Sequence, residues 1–183
     1  MAILPILIYP NPLLKTRCEP VTAIDSELLR FIDDLSETLM DSPGCVGIAA
    51  PQVGVLKRLI IVDVGRSAKP FPNHGRMVLI NPTLVWQEGE VLAREGCLSL
   101  PHLTANVKRP KQIRFVALTP GGETIEIDTA DFEARVVLHE ADHLDGVLFL
   151  DRVSSLKTDV FRRKNYAATR PQEDRSEPPK GSG

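Results

Sequence analysis

Two histidines and a glutamate stand within five residues in the segment His139-Glu140-Ala141-Asp142-His143. Residues four apart lie one above the other on a single face of an α-helix, so His139 and His143 can bind one metal ion together. Glu140 is then close enough to take the proton of a water molecule that the metal activates. The pattern predicts a metal-dependent hydrolase.

A metal ion in such a site needs a third protein ligand, because catalytic sites of this type use three and keep one position open. One protease group places a histidine six residues after the second one, but that position is Phe149. Another uses a later glutamate, and the downstream glutamates, Glu173 and Glu177, stand in a polar tail. Cys97 is the best remaining candidate, and as a thiolate it completes a Cys/His/His site.

Three separated segments resemble the peptide deformylase family, and they occur in the family's order. Residues 47–52 read Gly-Ile-Ala-Ala-Pro-Gln, residues 95–99 read Glu-Gly-Cys-Leu-Ser, and residues 139–143 carry the paired histidines. The resemblance spans about residues 5 to 152. Three motifs in order are a far more specific signal than H-E-x-x-H alone.

The resemblance implies an enzyme that removes the formyl group from N-formylmethionine at the start of newly made polypeptides. It assigns Cys97, His139 and His143 to the metal and makes Glu140 the general acid/base. It also makes Gln52 and the backbone N–H of Leu98 the groups that stabilise the oxyanion. In that family the metal is usually Fe²⁺, and Zn²⁺, Ni²⁺ or Co²⁺ can occupy the site.

Further residues are expected around this centre. The resemblance implies that Glu95 supports the site from behind the ligands. A methionine side chain needs an apolar pocket. The helical period places Phe132 and Val136, seven and three positions before His139, on the metal side. Gly47 and Ile48 in the first motif complete the predicted pocket.

Two positions depart from the family pattern. The first motif often opens Gly-x-Gly, but Cys45 stands at the first of these positions. Cys45 is therefore a candidate for an oxidisable thiol near the site. The residue before the first histidine is commonly glutamine, and here it is Leu138, which removes a possible hydrogen bond to the ligand shell.

The elements that must position these residues indicate an α+β fold. Antiparallel β-sheets and hairpins are expected to pack around a central metal-binding helix, with further helices toward the N- and C-terminus. Apolar periodicity and capping residues predict helices from Asp25 or Ser26 to about Met40, over 130–144 and, more weakly, over 155–167. Strands are predicted at 59–62, 77–80 and 84–86, with a hairpin of 113–118 and 124–127, and residues 1–9 as a first strand or an ordered arm.

Length and composition are those of one ordinary globular domain. The chain has 183 residues, and 43% are hydrophobic. We predict a single catalytic domain over residues 1–168 and a disordered tail over 169–183, where aliphatic residues are absent. The chain has three cysteines, a small and odd number that argues against a disulfide framework. This favours a reducing compartment, the cytoplasm.

Charge and hydropathy restrict the partners. The net charge of −2 indicates no strong field toward nucleic acid or lipid, so no sequence-specific nucleic acid and no membrane are expected. The expected partners are nascent N-formylmethionyl peptides. The basic run Arg162-Arg163-Lys164 after Lys157 offers a second possibility, docking to the ribosome near the exit tunnel.

Two other functions remain open from the residues. A metalloprotease that cuts internal peptide bonds shares the H-E-x-x-H pattern but needs a different third ligand. A non-catalytic relative that binds nascent N-termini is kept open by Cys45 and Leu138.

Overall fold

The computed structural model describes residues 2–163, which fold around two antiparallel β-sheets and two α-helices. The helices are α1 (Ser26–Asp41) and α2 (Asp131–Leu144). The strands are β1 (Gly47–Ala49), β2 (Leu59–Val62), β3 (Met77–Glu88), β4 (Val91–Cys97), β5 (Leu100–Arg109), β6 (Gln112–Leu118), β7 (Thr124–Ala130) and β8 (Val160–Arg162). Short 3₁₀ helices cover Pro12–Lys15, Ala50–Val53, Val64–Arg66 and Phe149–Arg152. The predicted α+β class is confirmed.

The larger sheet has the strand order β1-β2-β3-β6-β7, and it is covered by a helix on each face. Alternation along β2 divides the core: Ile60 and Val62 face the α2 side, whereas Leu59 and Ile61 face the α1 side. All four side chains of β2 are fully buried. This explains why the strand reads as a continuous apolar run and not as an alternating one.

Helix α1 begins and packs as its sequence predicts. The side chain of Asp25 accepts a hydrogen bond from the backbone N–H of Leu28 at 2.9 Å, which caps the helix. Its apolar stripe is buried against β1 and β2, and comprises Leu28, Ile32, Leu35 and Leu39.

Two residues after helix α2 ends, the chain turns at a glycine that no other residue can replace without movement of the backbone. Gly146 has a φ of +69°, and a Cβ built there would lie 2.6 Å from the backbone of Lys15. The chain therefore turns sharply after Leu144 and fixes the end of α2, where His143 lies, against the N-terminal segment.

The smaller sheet has the order β4-β5-β8. Leu98 and Ser99 form the two-residue turn between β4 and β5. The predicted C-terminal helix over 155–167 is wrong within the described residues, because residues 156–158 form a turn and Val160–Arg162 is β8. Strand β8 pairs with the open edge of β5 and packs the half-buried Val160 against a third apolar cluster, so tertiary pairing overrides the weak local helix pattern. Residues 164–167 and the predicted tail 169–183 lie outside the described residues.

Two smaller expectations are also corrected or refined. Residues 77–80 and 84–86 belong to one strand, β3, whose pairing with β6 shifts register between Ile80 and Thr83. Residues 2–7 form an extended arm and not a strand. The arm is ordered by backbone hydrogen bonds from Leu7 to Gln52 at 2.7 Å and from Tyr9 to Ser99 at 2.9 Å.

Among residues 2–163, no helix is both long and apolar enough to cross a membrane.

Candidate metal centre and active site

Helix α2 and the end of β4 bring three metal-binding side chains to one point. Sγ of Cys97 and a ring nitrogen from each of His139 and His143 all lie within 4.8 Å of one another. The Cys97 Sγ is 3.3 Å from the His143 Nε2. A tetrahedral metal with bonds of about 2.3 Å to sulfur and 2.0 Å to nitrogen separates such donors by about 3.5 Å. The donors are therefore spaced for one ion.

The surroundings of the two rings favour metal binding. The Nδ1 of His139 is 2.9 Å from the Glu95 carboxylate, which leaves Nε2 to face the site. Burial lowers the pKa of His143 well below its usual range, so this ring is neutral and offers a lone pair. Burial acts in the same direction on the pKa of His139, but hydrogen bonds with Cys97 and Glu95 raise it above its usual range. The pocket thus favours a positive charge between these groups.

The donor set and one unpaired atom fit a catalytic divalent ion. Thiolate and imidazole ligands suit Fe²⁺, Zn²⁺, Ni²⁺ and Co²⁺ better than Mg²⁺ or Ca²⁺. Within the described part of the chain, Oε2 of Glu140 is buried without a hydrogen-bond partner. A buried carboxylate oxygen needs a donor, and a water molecule at the open metal position would supply one.

Glu140 is held beside the ligands by a close packing contact with β1. Its side chain is 5% exposed, and a Cβ added to Gly47 would lie 2.7 Å from its Oε1. A larger residue at position 47 would therefore displace the Glu140 side chain. Burial raises the pKa of Glu140 to about 7, against the opposing charge of His139. A carboxyl group with this pKa can both accept and donate a proton near neutral pH.

The orientation of the Gln52 amide is determined by its partners. The backbone N–H of Ala49 donates to Oε1 of Gln52 at 2.9 Å, which turns Nε2 toward the site. Nε2 then lies 3.2 Å from the hydroxyl of Ser99 and 3.5 Å from the sulfur of Cys97. Leu98 follows Cys97 directly in the β4–β5 turn. The structure thus brings Gln52 to the sulfur of Cys97, and Leu98 stands next to that sulfur-bearing residue in the turn.

Behind His139 lies a buried chain of charges. Arg109 donates to both carboxylate oxygens of Glu95 and, at 2.9 Å, to Asp142, which also accepts two hydrogen bonds from Arg152. Burial alone would raise the pKa of Glu95, but the hydrogen bonds with His139 and Arg109 hold it at about 2. Glu95 is therefore an anion that orients the His139 ring, and Asp142 pairs with Arg109 and Arg152.

The apolar wall beside the metal differs from the prediction at one residue. Val136 is 7% exposed and belongs to the cluster on the α2 side of the larger sheet, against which Phe132 packs. Ile48 was expected in the pocket, but it is fully buried against α1. Neighbouring side chains of a strand point to opposite faces, so Gly47 and Ile48 cannot both face α2. Val46 precedes β1 and is not part of its alternation, and it packs against the α2-side cluster together with Phe132.

Sequence reasoning missed three residues that position this site. Ser99 orients Gln52, and its place in the second motif was a usable signal. Arg109 holds Glu95, but an isolated arginine in a strand gives no such indication. Phe71, whose ring centre lies 4.4 Å from that of Phe132, comes from a loop with no sequence pattern.

The two departures from the family pattern have structural consequences. Burial raises the pKa of the Cys45 thiol to about 12, and the thiol donates to the carbonyl of Gly47. Cys45 is therefore protonated at neutral pH, which opposes the role of an oxidation-prone thiol. Leu138 packs against the apolar cluster that contains Val136 and Val137 and makes an apolar contact there.

The sequence and the fold of this chain are similar to those of known proteins. Residues 3–159 match the profile of the family described as polypeptide deformylase. The sequence is 45% identical over 164 residues to a peptide deformylase of Thermodesulfovibrio yellowstonii, a match that covers 90% of this chain and 97% of the relative.

Solved structures give the same result. A peptide deformylase from Legionella pneumophila superposes with a TM-score of 0.77 and 37% identity, covering 85% of this chain and 89% of that one. A Met-Ala-Ser-bound class I type b peptide deformylase from Acinetobacter baumannii superposes with a TM-score of 0.76 and 34% identity, covering 83% and 99% of the two chains.

Proposed function

This chain belongs to the polypeptide deformylase family, and from that membership we propose which of its residues carry out the reaction. The family's enzymes are metal-dependent hydrolases that remove the N-formyl group from the N-terminus of nascent polypeptides, and this chain is one of them. A protease that cuts internal peptide bonds is not favoured. The observation that carries the residue assignment is the meeting of Cys97, His139 and His143 beside the buried Glu140.

Cys97, His139 and His143 are the residues that would hold the metal. We propose Fe²⁺ in the cell, with Zn²⁺, Ni²⁺ or Co²⁺ as substitutes, and the thiolate–imidazole donor set supports this group of metals. A divalent ion bound there supplies Lewis acidity, which activates water at neutral pH and polarises the formyl carbonyl.

Glu140 is the proton carrier of the reaction. In this proposal it accepts a proton from the attacking water and delivers it to the amine that leaves, and the buried Oε2 without a hydrogen-bond partner in the described chain supports the role. Burial and the contact with Gly47 hold this carboxylate in one place, so little motion is needed between the two transfers. Formate and a free N-terminal amine are the products.

Gln52 and the backbone N–H of Leu98 stabilise the negative charge that develops on the formyl oxygen. Gln52 is suited to this role because Ala49 and Ser99 hold its amide with Nε2 toward the site before substrate arrives. A preorganised donor of this kind is typically worth about 3–4 kcal/mol in the transition state.

The substrate is an extended peptide with an apolar first side chain. β1 and β4 are both edge strands, and Gly47 and Cys97 at the site belong to them. An extended chain can add its backbone hydrogen bonds to such edges. Phe132, Val136 and Gly47, with Val46, form the proposed wall around the methionine side chain.

We also propose the setting in which the enzyme works. Residues 1–168 act as one catalytic domain, which the family match over 3–159 supports. Three free cysteines support a cytoplasmic location. Arg162 and Arg163 lie at and just after β8, and they are proposed to dock to the ribosome near the exit tunnel. Reversing the charges of Arg162, Arg163 and Lys164 should weaken cosedimentation with ribosomes at low salt, and unchanged cosedimentation would remove this part of the proposal.

The experiment that tests the function measures formate release from formyl-Met-Ala-Ser by anaerobically purified protein, with metal content determined on the same sample. The wild-type protein should release formate, and Glu140→Ala should lose at least about 100-fold in kcat while retaining the metal. Glu126→Ala, which changes an exposed acid on β7, is the matched control and should keep full activity. Wild-type protein that binds metal but releases no formate would refute the proposal and leave a non-catalytic binder.

A further inference from the structure

The loop between β2 and β3 is tied to helix α2 by one buried carboxylate. Glu133, in the first turn of α2, is 1% exposed. It accepts a hydrogen bond from the backbone N–H of His74 at 2.8 Å, and the Nδ1 of His74 lies 2.6 Å from its second oxygen. The hydroxyl of Thr129 donates to the same carboxylate at 2.8 Å. All of the groups around Glu133 are thus donors, and the deformylase reaction uses none of them.

The tie secures the second part of the loop, residues 68–75, whereas Arg66 holds the first part by donating to the carbonyls of Met40, Ser42 and Cys45. Within the described chain, Glu133 is the only hydrogen-bond partner outside the loop for residues 68–75. Asn73 bonds only to Phe71 and Gly75, which are in the loop itself. A cavity of about 580 Å³ lies beside the loop and is lined by Phe71, His74, Phe132 and Glu133, among others. The loop therefore spans open space and is not held by packing on that side.

The loop carries Phe71, whose aromatic side chain contacts the proposed pocket wall at Phe132. The rings of Phe71 and Phe132 have centres 4.4 Å apart and planes inclined at 35°. Both rings pack against the cluster that contains Val136, and Val46 packs there as well. Phe132 and Val136 lie on the same face of α2 as His139. Phe71 is thus the part of the loop that extends the wall proposed to receive the first side chain of the substrate.

We propose that His74 and Glu133 are a positioning pair that determines specificity for the first residue of the substrate. The Glu133 carboxylate holds the loop through His74, the loop holds Phe71 against Phe132, and the two rings define how far the pocket extends from the metal. When the tie is absent, Phe71 can leave Phe132, and the pocket then accepts first residues other than methionine more readily. This inference rests on the proposed function, because it assigns a role within the same substrate pocket.

The test compares formyl-Met-Ala-Ser with the analogous peptides that begin with formyl-Ala and formyl-Phe. His74→Ala removes the imidazole, and it should raise KM for formyl-Met-Ala-Ser about 3- to 10-fold with kcat within about twofold. The ratio of kcat/KM between formyl-Met and formyl-Phe should fall by a similar factor. His74→Asn, whose amide can donate to the same carboxylate, should restore most of the wild-type ratio. Glu133→Gln keeps the size of the side chain but loses its charge, and it should resemble His74→Ala.

A double-mutant cycle separates positioning from a general loss of structure. If His74 acts through Phe71, then His74→Ala should change KM and the specificity ratio in the wild-type protein but have little further effect on Phe71→Ala. Lys108→Ala, which removes an exposed ion pair on β5, is the control and should leave all values unchanged. Metal content should equal that of the wild type in every variant.

The outcomes distinguish this inference from the proposed function. A wild-type protein that releases no formate refutes the proposed function itself. An active wild type whose specificity ratio is unchanged by His74→Ala overturns the positioning role. Full additivity with Phe71→Ala overturns it as well, because it would show that His74 does not act through Phe71.

Discussion

Gly47 and Glu140 approach so closely that a single methyl group at position 47 would lie 2.7 Å from the carboxylate oxygen of Glu140. The Glu140 carboxylate therefore occupies space that is free because residue 47 of β1 has no side chain. Gly47→Ala should displace Glu140 and lower kcat by about 100-fold, since a shift of about 1 Å at a catalytic group has that cost. Metal content should stay at the wild-type level, because the three atoms nearest to a Cβ at Gly47 all belong to Glu140 and to none of the proposed ligands.

The control for Gly47→Ala is Gly44→Ala, three residues earlier. A Cβ at Gly44 meets no atom within 4 Å, but its φ of +70° makes alanine strained there. Gly44→Ala should therefore lower stability slightly and leave kcat nearly unchanged. Full kcat in Gly47→Ala would contradict the positioning of Glu140 by close packing.

Arg109 and Lys108 are neighbours on β5 with opposite environments, and they offer a matched pair. Arg109 is 3% exposed between Glu95 and Asp142, whereas Lys108 is 55% exposed beside Glu90. Arg109→Met removes the cation shared by two buried carboxylates, which leaves Glu95 with His139 alone and Asp142 with Arg152 alone, and it should destabilise the fold by about 3–5 kcal/mol. Because Glu95 orients His139, metal affinity should also fall about 10- to 100-fold.

Lys108→Met should change the free energy of unfolding by less than about 0.5 kcal/mol. Chemical denaturation and metal titration measure the two effects for both variants. Equal stability of Arg109→Met and Lys108→Met would show that the charges behind His139 are not coupled to the site.

The N-terminal arm connects the two segments proposed to stabilise the oxyanion. Leu7 donates its backbone N–H to the carbonyl of Gln52, and Tyr9 donates to that of Ser99. Leu7→Pro removes the first donor while proline suits an extended arm, and it should lower kcat/KM about 5- to 10-fold by loosening Gln52. Ile8→Pro is the control, since the Ile8 N–H donates to no described residue and its side chain is 47% exposed. Equal losses in both variants would rule out a role for the Leu7 hydrogen bond.

Cys45 should behave as a protonated thiol at physiological pH. Burial raises its pKa to about 12, so at pH 8 its thiolate fraction is roughly a thousandfold below that of a free cysteine. A raised pKa means that the thiolate appears only as pH increases. Alkylation of Cys45 by iodoacetamide should therefore rise about tenfold per pH unit from 7 to 10 without a plateau, followed by mass spectrometry of the labelled peptide. A plateau below pH 9 would contradict the raised pKa of this thiol.

Local signals in the sequence were sufficient for the helices that matter to the site. The cap at Asp25 and the stripe from Leu28 to Leu39 predict α1 to within one residue. The histidine spacing and Gly146 do the same for α2. The residues that meet the metal were also identified from types and motifs, because H-E-x-x-H is local and Cys97 stands in a recognisable segment.

The features that the sequence did not reveal depend on contacts between segments that are distant along the chain. β8 forms because β5 has an open edge, and nothing in the sequence of residues 160–162 indicates that this edge is available. The pocket assignment of Ile48 was wrong because β1 has only three residues. In so short a strand, the sequence pattern does not show which side chains face α2 and which face α1. Arg109, His74 and Phe71 act through contacts with residues far along the chain, which a single sequence cannot display.

The central claim is that the sulfur of Cys97 joins the imidazoles of His139 and His143 around one metal ion. X-ray absorption at the metal edge of the anaerobically purified protein tests it most directly. The account predicts one sulfur at about 2.3 Å and two nitrogens at about 2.0–2.1 Å, with the sulfur replaced by a lighter atom in Cys97→Ser. A wild-type spectrum without a sulfur neighbour would contradict the account.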